Sequence, residues 1–129
     1  MFEINMTISE RLRNARDLKP FIDSLEIELV QVREQFKAQP ALLATQETEI
    51  LTAIREITVK RQYMADLINQ LSDKRQRDVL TAQYIKGIKN KDLSNFLGLK
   101  DKEVSSIRQK AIKKLEKLLI KIEQQQAQI

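Results

Sequence analysis

The sequence predicts an all-α protein, and three observations point to that class. It contains two glycines and two prolines among 129 residues, too few for the many turns of a β-rich fold. Leu, Ile, Lys, Glu, Gln and Ala dominate, and all except Ile are strong helix formers. Apolar residues recur at steps of three and four, the spacing of one helix face. We predict an antiparallel helical hairpin over residues 1–70, for oligomerisation or partner binding, and a second helical domain over residues 71–129.

The first helix is predicted from Ile8 to Leu18. Thr7 and Glu10 have the spacing of a capping box, in which each side chain accepts a hydrogen bond from a free backbone amide. Pro20 lacks an amide hydrogen and clashes with the preceding turn. We therefore expect the helix to break or kink just before it.

Two apolar seams follow, and they predict the hairpin. The first lies on a helix over residues 21–37 and comprises Ile22, Leu25, Leu29, Val32 and Phe36. A linker from Gln39-Pro40 to about Thr45 is expected to reverse the chain. The second seam comprises Ile50, Ile54, Ile57, Met64, Ile68 and Leu71, interrupted by Arg61, which is expected at an edge without a functional role. The hairpin could close on itself, pair with a second copy as a coiled coil, or fold onto the C-terminal domain.

The C-terminal domain is predicted to begin with a helix over residues 73–86. Ser72 is expected to cap it, with Asp73 near its positive end, and Gly87 to end it. Val79, Leu80 and Tyr84 are predicted to point inward.

Gly98 lies between two further predicted helices. Leu93, Phe96 and Leu97 give the helix before it an apolar face, and Val104, Ile107 and Ala111 repeat at helical spacing after it. Glycine readily adopts the left-handed backbone that closes a helix. A short glycine turn between two helices is typical of a helix-turn-helix, with its second helix beginning near Asp101.

This segment resembles region four of bacterial housekeeping-type sigma factors and the sigma-like helix-turn-helix of phage-encoded regulators. The resemblance covers about 45 of the 129 residues in one register without a gap. It depends on Leu71, Arg75, Val79, Leu80, Tyr84, Ile85, Gly87, Ile88, Leu93, Leu97, Gly98, Leu99, Val104, Ile107 and the run KAIKKL at 110–115. Where the family usually has a small hydroxyl residue capping each helix, this chain has Lys89 and Lys100, so Asn90 and Asp101 are expected to cap instead.

The resemblance implies a sequence-specific transcriptional regulator that binds double-stranded DNA, similar to those of phages and prophages. It also implies contact with RNA polymerase. The alternative is a helical protein-interaction module that mimics a sigma domain and binds RNA polymerase or another protein without reading DNA.

The charge distribution favours a polyanionic partner for the C-terminal domain. Residues 1–70 carry 9 Lys and Arg against 11 Asp and Glu, a net charge of −2. Residues 71–129 carry 14 against 7, a net charge of +7. Such an excess of one sign favours binding to a polyanion over a merely solvated helix surface.

A helix in the major groove presents its N-terminal turns to base edges and its flanks to phosphates. The predicted base-contacting residues are Asp101, Lys102, Ser105, Ser106 and Gln109. The predicted phosphate-contacting residues are Lys89, Asn90, Lys91, Arg108, Lys110, Lys113 and Lys114.

The last predicted helix extends beyond the family's usual end. Leu115, Leu118, Ile122 and Ile129 continue an apolar seam, and the polar stretch 124–128 is expected to fray. The extension suits packing against the hairpin or homodimerisation.

The composition argues against catalysis. The chain has no His, no Cys and no glycine-rich phosphate loop, so we expect no enzymatic activity, no metal and no cofactor. It has no apolar run of membrane-spanning length and no signal-peptide core. We expect no membrane partner. We expect the protein to be located in the bacterial cytoplasm, associated with the nucleoid.

Overall fold

The computed structural model describes residues 6–127 and confirms the all-α prediction. Within this range the chain forms five α-helices and no strand. In chain order they are α1 (Ile8–Gln35), α2 (Pro40–Asn69), α3 (Lys74–Leu80), α4 (Asn90–Leu97) and α5 (Asp101–Ala127). A π-helical turn, Thr81–Ile85, follows α3 directly. No helix in the described range is long and apolar enough to cross a membrane.

Helix α1 is a single helix, so the predicted division into two helices at Pro20 is wrong. Thr7 caps it as predicted, its side-chain oxygen accepting from the Glu10 amide at 3.1 Å. The helix then continues through Pro20 to Gln35. An internal proline costs about 3 kcal/mol. Packing on both sides of it offsets that cost, because Ala15 before it and Leu29 after it are both buried.

Helix α2 begins at Pro40, so the predicted linker to about Thr45 is also wrong. The connection is only residues 36–39. Within it, the Gln39 amide donates to the Phe36 carbonyl at 2.8 Å. Proline is well suited to the first position of a helix, because the amide it lacks would have no partner there.

Helices α1 and α2 run in opposite directions against each other. Their distal ends share a cluster of three buried residues, Leu29, Val32 and Ile50, with Leu25, Phe36, Leu43 and Ile54 packed around it. Near this cluster, Arg33 Nε lies 3.1 Å from the Glu47 carboxylate. We call residues 20–57 the arm, and residues 6–19 together with 58–127 the body.

The largest buried cluster lies in the body and draws on both halves of the chain. It comprises Ile8, Leu12, Ala15, Met64, Leu67, Ile68, Leu71, Leu80, Tyr84, Ala111, Leu115 and Leu119. The start of α1 and the end of α2 therefore share one core with α3, the π-turn and α5.

Helix α3 begins one residue later than predicted. Asp73 is its N-cap, and the carboxylate accepts from the Gln76 amide at 3.2 Å, so the cap predicted at Ser72 is wrong. The predicted α-helix over 73–86 changes to π geometry at Thr81, and the Lys86 amide donates to the Thr81 carbonyl at 2.9 Å. Gly87 ends the segment with φ of 74°. Val79, Leu80 and Tyr84 are buried as predicted.

Helix α5 packs against the start of α1. Leu115 and Leu119 are buried there, and Leu118 and Ile122 lie at the margin of the same cluster. Arg11 Nη2 lies 3.5 Å from the Glu123 carboxylate. Because α5 continues to Ala127, the predicted fraying from residue 124 is wrong as far as residue 127. Residue 128 and the predicted seam residue Ile129 lie outside the described residues.

Candidate nucleic-acid interface

A second, smaller core positions α4 against α5. Val79, Ala82, Leu93 and Val104 are buried in it, with Ile88, Leu97, Leu99 and Ile107 packed around them. Gly98 connects the two helices with φ of 68°, a conformation that favours glycine. The Leu99 amide then donates to the Ser94 carbonyl at 3.0 Å, which closes the end of α4. This short connection lets the N-termini of both helices approach the same side of the body.

The two helices begin at Asn90 and Asp101, so these residues do not cap them as predicted. Lys89 occupies the capping position of α4 and makes no side-chain cap hydrogen bond. At α5, the Lys100 amide donates to the Glu103 carboxylate at 3.3 Å. Asn90 has a different role, because its side-chain oxygen accepts from Arg108 Nη1 at 2.9 Å. The N-terminus of α4 therefore keeps backbone amides that its capping residue does not satisfy.

The outer face of α5 carries most of the predicted base-contacting residues. Lys102, Ser106 and Gln109 are exposed and follow one another at steps of four and three, which places them on one stripe of the helix. Asp101 is exposed at the first position of the helix, off this stripe, and Ser105 is half-buried. On the opposite face, Val104 and Ala111 are buried, which fixes the orientation of the stripe.

The predicted phosphate-contacting residues are exposed with one exception. Lys89, Asn90, Lys91, Lys110, Lys113 and Lys114 are all exposed. Lys113 extends the stripe itself, and Lys110 and Lys114 lie on one flank of α5. The exception is Arg108, which is half-buried and donates from Nη1 to the side-chain oxygens of Gln83, at 3.1 Å, and of Asn90. Arg108 thus ties α5 to the π-turn and to α4.

A groove of about 650 Å³ separates the N-termini of α4 and α5. It is lined by Asn90, Lys91, Asp101, Val104 and Arg108. This lining contains two cationic side chains, Lys91 and Arg108, and one carboxylate, that of Asp101. The lining therefore carries more positive than negative charge.

Arg75 is a neighbour of the stripe that the predicted site does not include. It lies at the start of α3 and shares a recess of about 300 Å³ with Lys102, Glu103, Ser106 and Ile107 of α5. Arg75 is one of the residues on which the family resemblance depends, and this was the one indication from the sequence that it belongs near the interface. Gln83, which orients Arg108, carried no such signal, because only the tertiary fold brings the π-turn beside α5.

Within residues 6–127, no group of three or more His, Cys, Asp or Glu side chains is placed to hold a metal ion. Comparisons of the chain with protein-family models, with curated proteins and with solved structures gave no match.

Proposed function

We propose that this chain is a sequence-specific regulator of transcription that binds double-stranded DNA. In this proposal α4, Gly98 and α5 form a helix-turn-helix of the sigma region-four type, and α5 reads the major groove. One observation carries it: the stripe Lys102, Ser106 and Gln109 is exposed while the opposite face of α5 is buried. The regulator would be of the phage or prophage type and act at the bacterial nucleoid.

Charge supports this proposal. The body carries 20 Lys and Arg against 10 Asp and Glu, a net charge of +10. The arm carries 3 against 7, a net charge of −4. The excess of positive charge thus belongs to the body, which also carries the stripe, and phosphate contacts supply most of the sequence-independent affinity for DNA.

The exposed side chains suit two kinds of contact. Lys102 can donate to guanine, and Gln109 can pair with adenine through its amide. Ser105 and Ser106 can contact several bases, and Asp101 can accept from cytosine. The exposed lysines around the stripe, together with the start of α4, suit phosphate contacts that set the register of the protein on the duplex.

The test is titration of a labelled random-sequence duplex with the full chain at low and moderate salt. We expect binding that weakens steeply as salt rises, because each phosphate contact releases a counterion. Selection of bound duplexes from a random pool would then give the preferred site. A two-fold symmetric site would indicate a homodimer.

Two single substitutions separate the two kinds of contact. Gln109→Ala is expected to cost about 1–3 kcal/mol and to relax preference at one base pair. Lys91→Ala is expected to weaken binding to all sequences alike and to reduce the salt slope by about 1. A uniform loss for Gln109→Ala would make it a backbone contact, and an unchanged slope for Lys91→Ala would remove that lysine from the interface.

A second candidate is a protein-interaction module that binds RNA polymerase or another protein without reading DNA. Exposed apolar side chains favour it, since Ile27, Val30 and Val59 are each more than 60% exposed and Phe96 is 51% exposed. Exposed apolar side chains of this size suit contacts with a protein partner. Absence of duplex binding at low salt, together with capture of purified RNA polymerase, would favour this function over the first.

A further inference from the structure

An open cleft of about 620 Å³ lies where the start of the arm meets the segment that leads into α4. The charged and polar residues that line it on the α1 side are Arg16, Asp17, Lys19 and Asp23, and those of the other side include Lys89 and Asn90, next to Gly87. The sequence assigns these two sides to separate halves of the chain. The fold makes them opposite walls of one site.

The Lys19 side chain of the α1 wall lies against Gly87 of the second wall. A Cβ atom built on Gly87 would lie 3.7 Å from Cδ of Lys19, so the aliphatic part of the lysine passes directly over this glycine. A Cβ at that distance would make an ordinary van der Waals contact, so the φ of 74° favours glycine here and the lysine does not require it. Its ammonium group reaches the cleft from α1, alongside Arg16.

The cations of the α1 wall are held only by exposed ion pairs. Arg16 Nε lies 3.0 Å from the Asp17 carboxylate, and Lys19 Nζ lies 3.5 Å from the Asp23 carboxylate. Exposed pairs of this kind contribute about 0–1 kcal/mol, so they do not withhold the two cations from an anion. Both carboxylates line the cleft as well, but with Lys86 and Lys89 the lining carries four cationic side chains against these two carboxylates. Lys86 also borders the cleft, but its ammonium lies over the Phe96 ring, 5.4 Å from the centroid, and we leave it out of the site.

Asn90 joins this cleft to the groove between α4 and α5, because it lines both. Its side-chain oxygen is occupied by Arg108, so its amide NH₂ group remains to donate to an anion. The capping position beside it makes no side-chain hydrogen bond, which leaves amides at the positive end of α4 for the same anion. Donors therefore continue from the groove through Asn90 and Lys89 to the α1 wall.

We propose that this cleft binds the phosphate backbone of the duplex, so that α1 takes part in DNA binding together with the helix-turn-helix. This inference rests on the proposed function. A strand whose phosphates contact the start of α4 would continue past Lys89 to Arg16 and Lys19. The partner is a continuous sugar-phosphate backbone, which extends the footprint beyond the major groove read by α5.

The test compares two double variants in duplex titrations over a range of salt concentrations. Arg16→Ala with Lys19→Ala is expected to reduce the salt slope by about 2, one unit for each lost phosphate contact. The matched control is Arg55→Ala with Lys37→Ala, which removes the same charge from the arm. Lys37 is a close match for Lys19, because it also pairs with a nearby acidic residue on the surface, Glu34, at 2.8 Å. The control is expected to keep the wild-type slope.

The outcomes separate the inference from the proposed function. If wild-type protein binds duplex and Lys91→Ala lowers the slope, but the cleft variant keeps the wild-type slope, the inference fails alone. An equal decrease in salt slope for the cleft variant and the arm control would also overturn the inference, because the change in net charge would then account for the effect. If wild-type protein shows no salt-dependent duplex binding, both fail.

A second measurement locates the backbone directly. The chain has no cysteine, so Lys19→Cys introduces a single thiol to which a tethered iron chelate can be attached. Hydroxyl radicals generated there are expected to cut the bound duplex at a discrete position flanking the α5 site. The same chelate at Lys37→Cys should give no such cut. Cleavage from both positions, or from neither, would contradict the placement of the backbone in the cleft.

Discussion

The arm and the body are built from the same two long helices but bury very different amounts of them. In the body, Leu12 of α1 is 0% exposed and belongs to a cluster of twelve buried residues. In the arm, Leu29 of the same helix is 8% exposed and shares its cluster with two other buried residues. The body has helices on several sides of α1, whereas in the arm α1 packs on α2 alone. Cooperative stability should therefore reside in the body, with the arm opening more easily.

Replacing a leucine in each region tests this difference and should give the largest effect. Leu12→Ala is expected to cost about 3–5 kcal/mol, because the surrounding core cannot close around the cavity. Leu29→Ala should cost about 2 kcal/mol, because its neighbours lie partly at the surface and can relax. Urea unfolding followed by circular dichroism measures both. Equal losses would mean that the arm is as tightly packed as the body.

The next effect concerns Arg61 of α2, which lies in the body and joins three of its elements. Its Nε donates to the Ala15 carbonyl at 3.0 Å and its Nη2 to the Ile85 carbonyl at 2.5 Å, so it bridges α1 and the end of the π-turn. Arg61→Met keeps the length of the side chain but leaves both carbonyls without this donor, at a cost of about 2–3 kcal/mol. The matched control Arg55→Met, at an exposed arm position, should change stability by about 0.5 kcal/mol or less. Similar losses for the two variants would show that the bridge contributes little.

The smallest effect is expected for substitutions in the loops of the two regions. Gly98 has φ of 68°, and among the described residues nothing lies within 4 Å of a Cβ built on it, so Gly98→Ala adds backbone strain without a clash. We expect a loss of about 1–2 kcal/mol, and a smaller one for Gly98→Asn, since Asn tolerates this conformation better than Ala. Lys37→Ala in the arm loop should change stability by about 0.5 kcal/mol or less. Thermal unfolding measures all three variants. An unchanged unfolding temperature for Gly98→Ala would show that this backbone conformation imposes no strain on alanine.

Local patterns were enough to predict much of the fold. The spacing of three and four placed Leu29, Val32 and Ile50 on facing seams, and all three are buried. The end of α4 and the start of α5 near Asp101 also agree with the prediction, since Gly98 separates the two helices. At these positions the sequence signal and the packing point to the same conformation.

The errors arose where tertiary contacts or end effects decided the outcome. Pro20 normally interrupts a helix, but burial on both sides keeps α1 continuous. From the sequence, Pro40 is expected to end a helix and to begin a linker. In the structure it is the first residue of α2, a position that proline favours. Ser72 and Asp73 are both good caps, and nothing in the local sequence favours the Asp73 cap that the fold adopts over the predicted Ser72. The predicted start of α3 was therefore one residue too early.

The site was predicted less completely than the fold. The shared exposed face of Lys102, Ser106 and Gln109 could be predicted, because the helix period determines which residues lie on one face. The orientation of Arg108 depends on Gln83, and the cleft depends on Lys19 meeting Gly87. These neighbours are far apart in the chain, and helix periodicity carries no information about such contacts.

The opposite charges of the two regions have a consequence for how the molecule moves in an electric field. The arm extends roughly 20 Å along α1 beyond the body, at about 1.5 Å per residue. Positive charge at one end and negative charge at the other give the molecule a large permanent dipole moment. Near any polyanion that dipole aligns the molecule before contact, with the body leading and the arm trailing, so fewer encounters arrive in the wrong orientation. The distal tip of the arm is then presented to the surrounding solution, away from the surface that the body approaches.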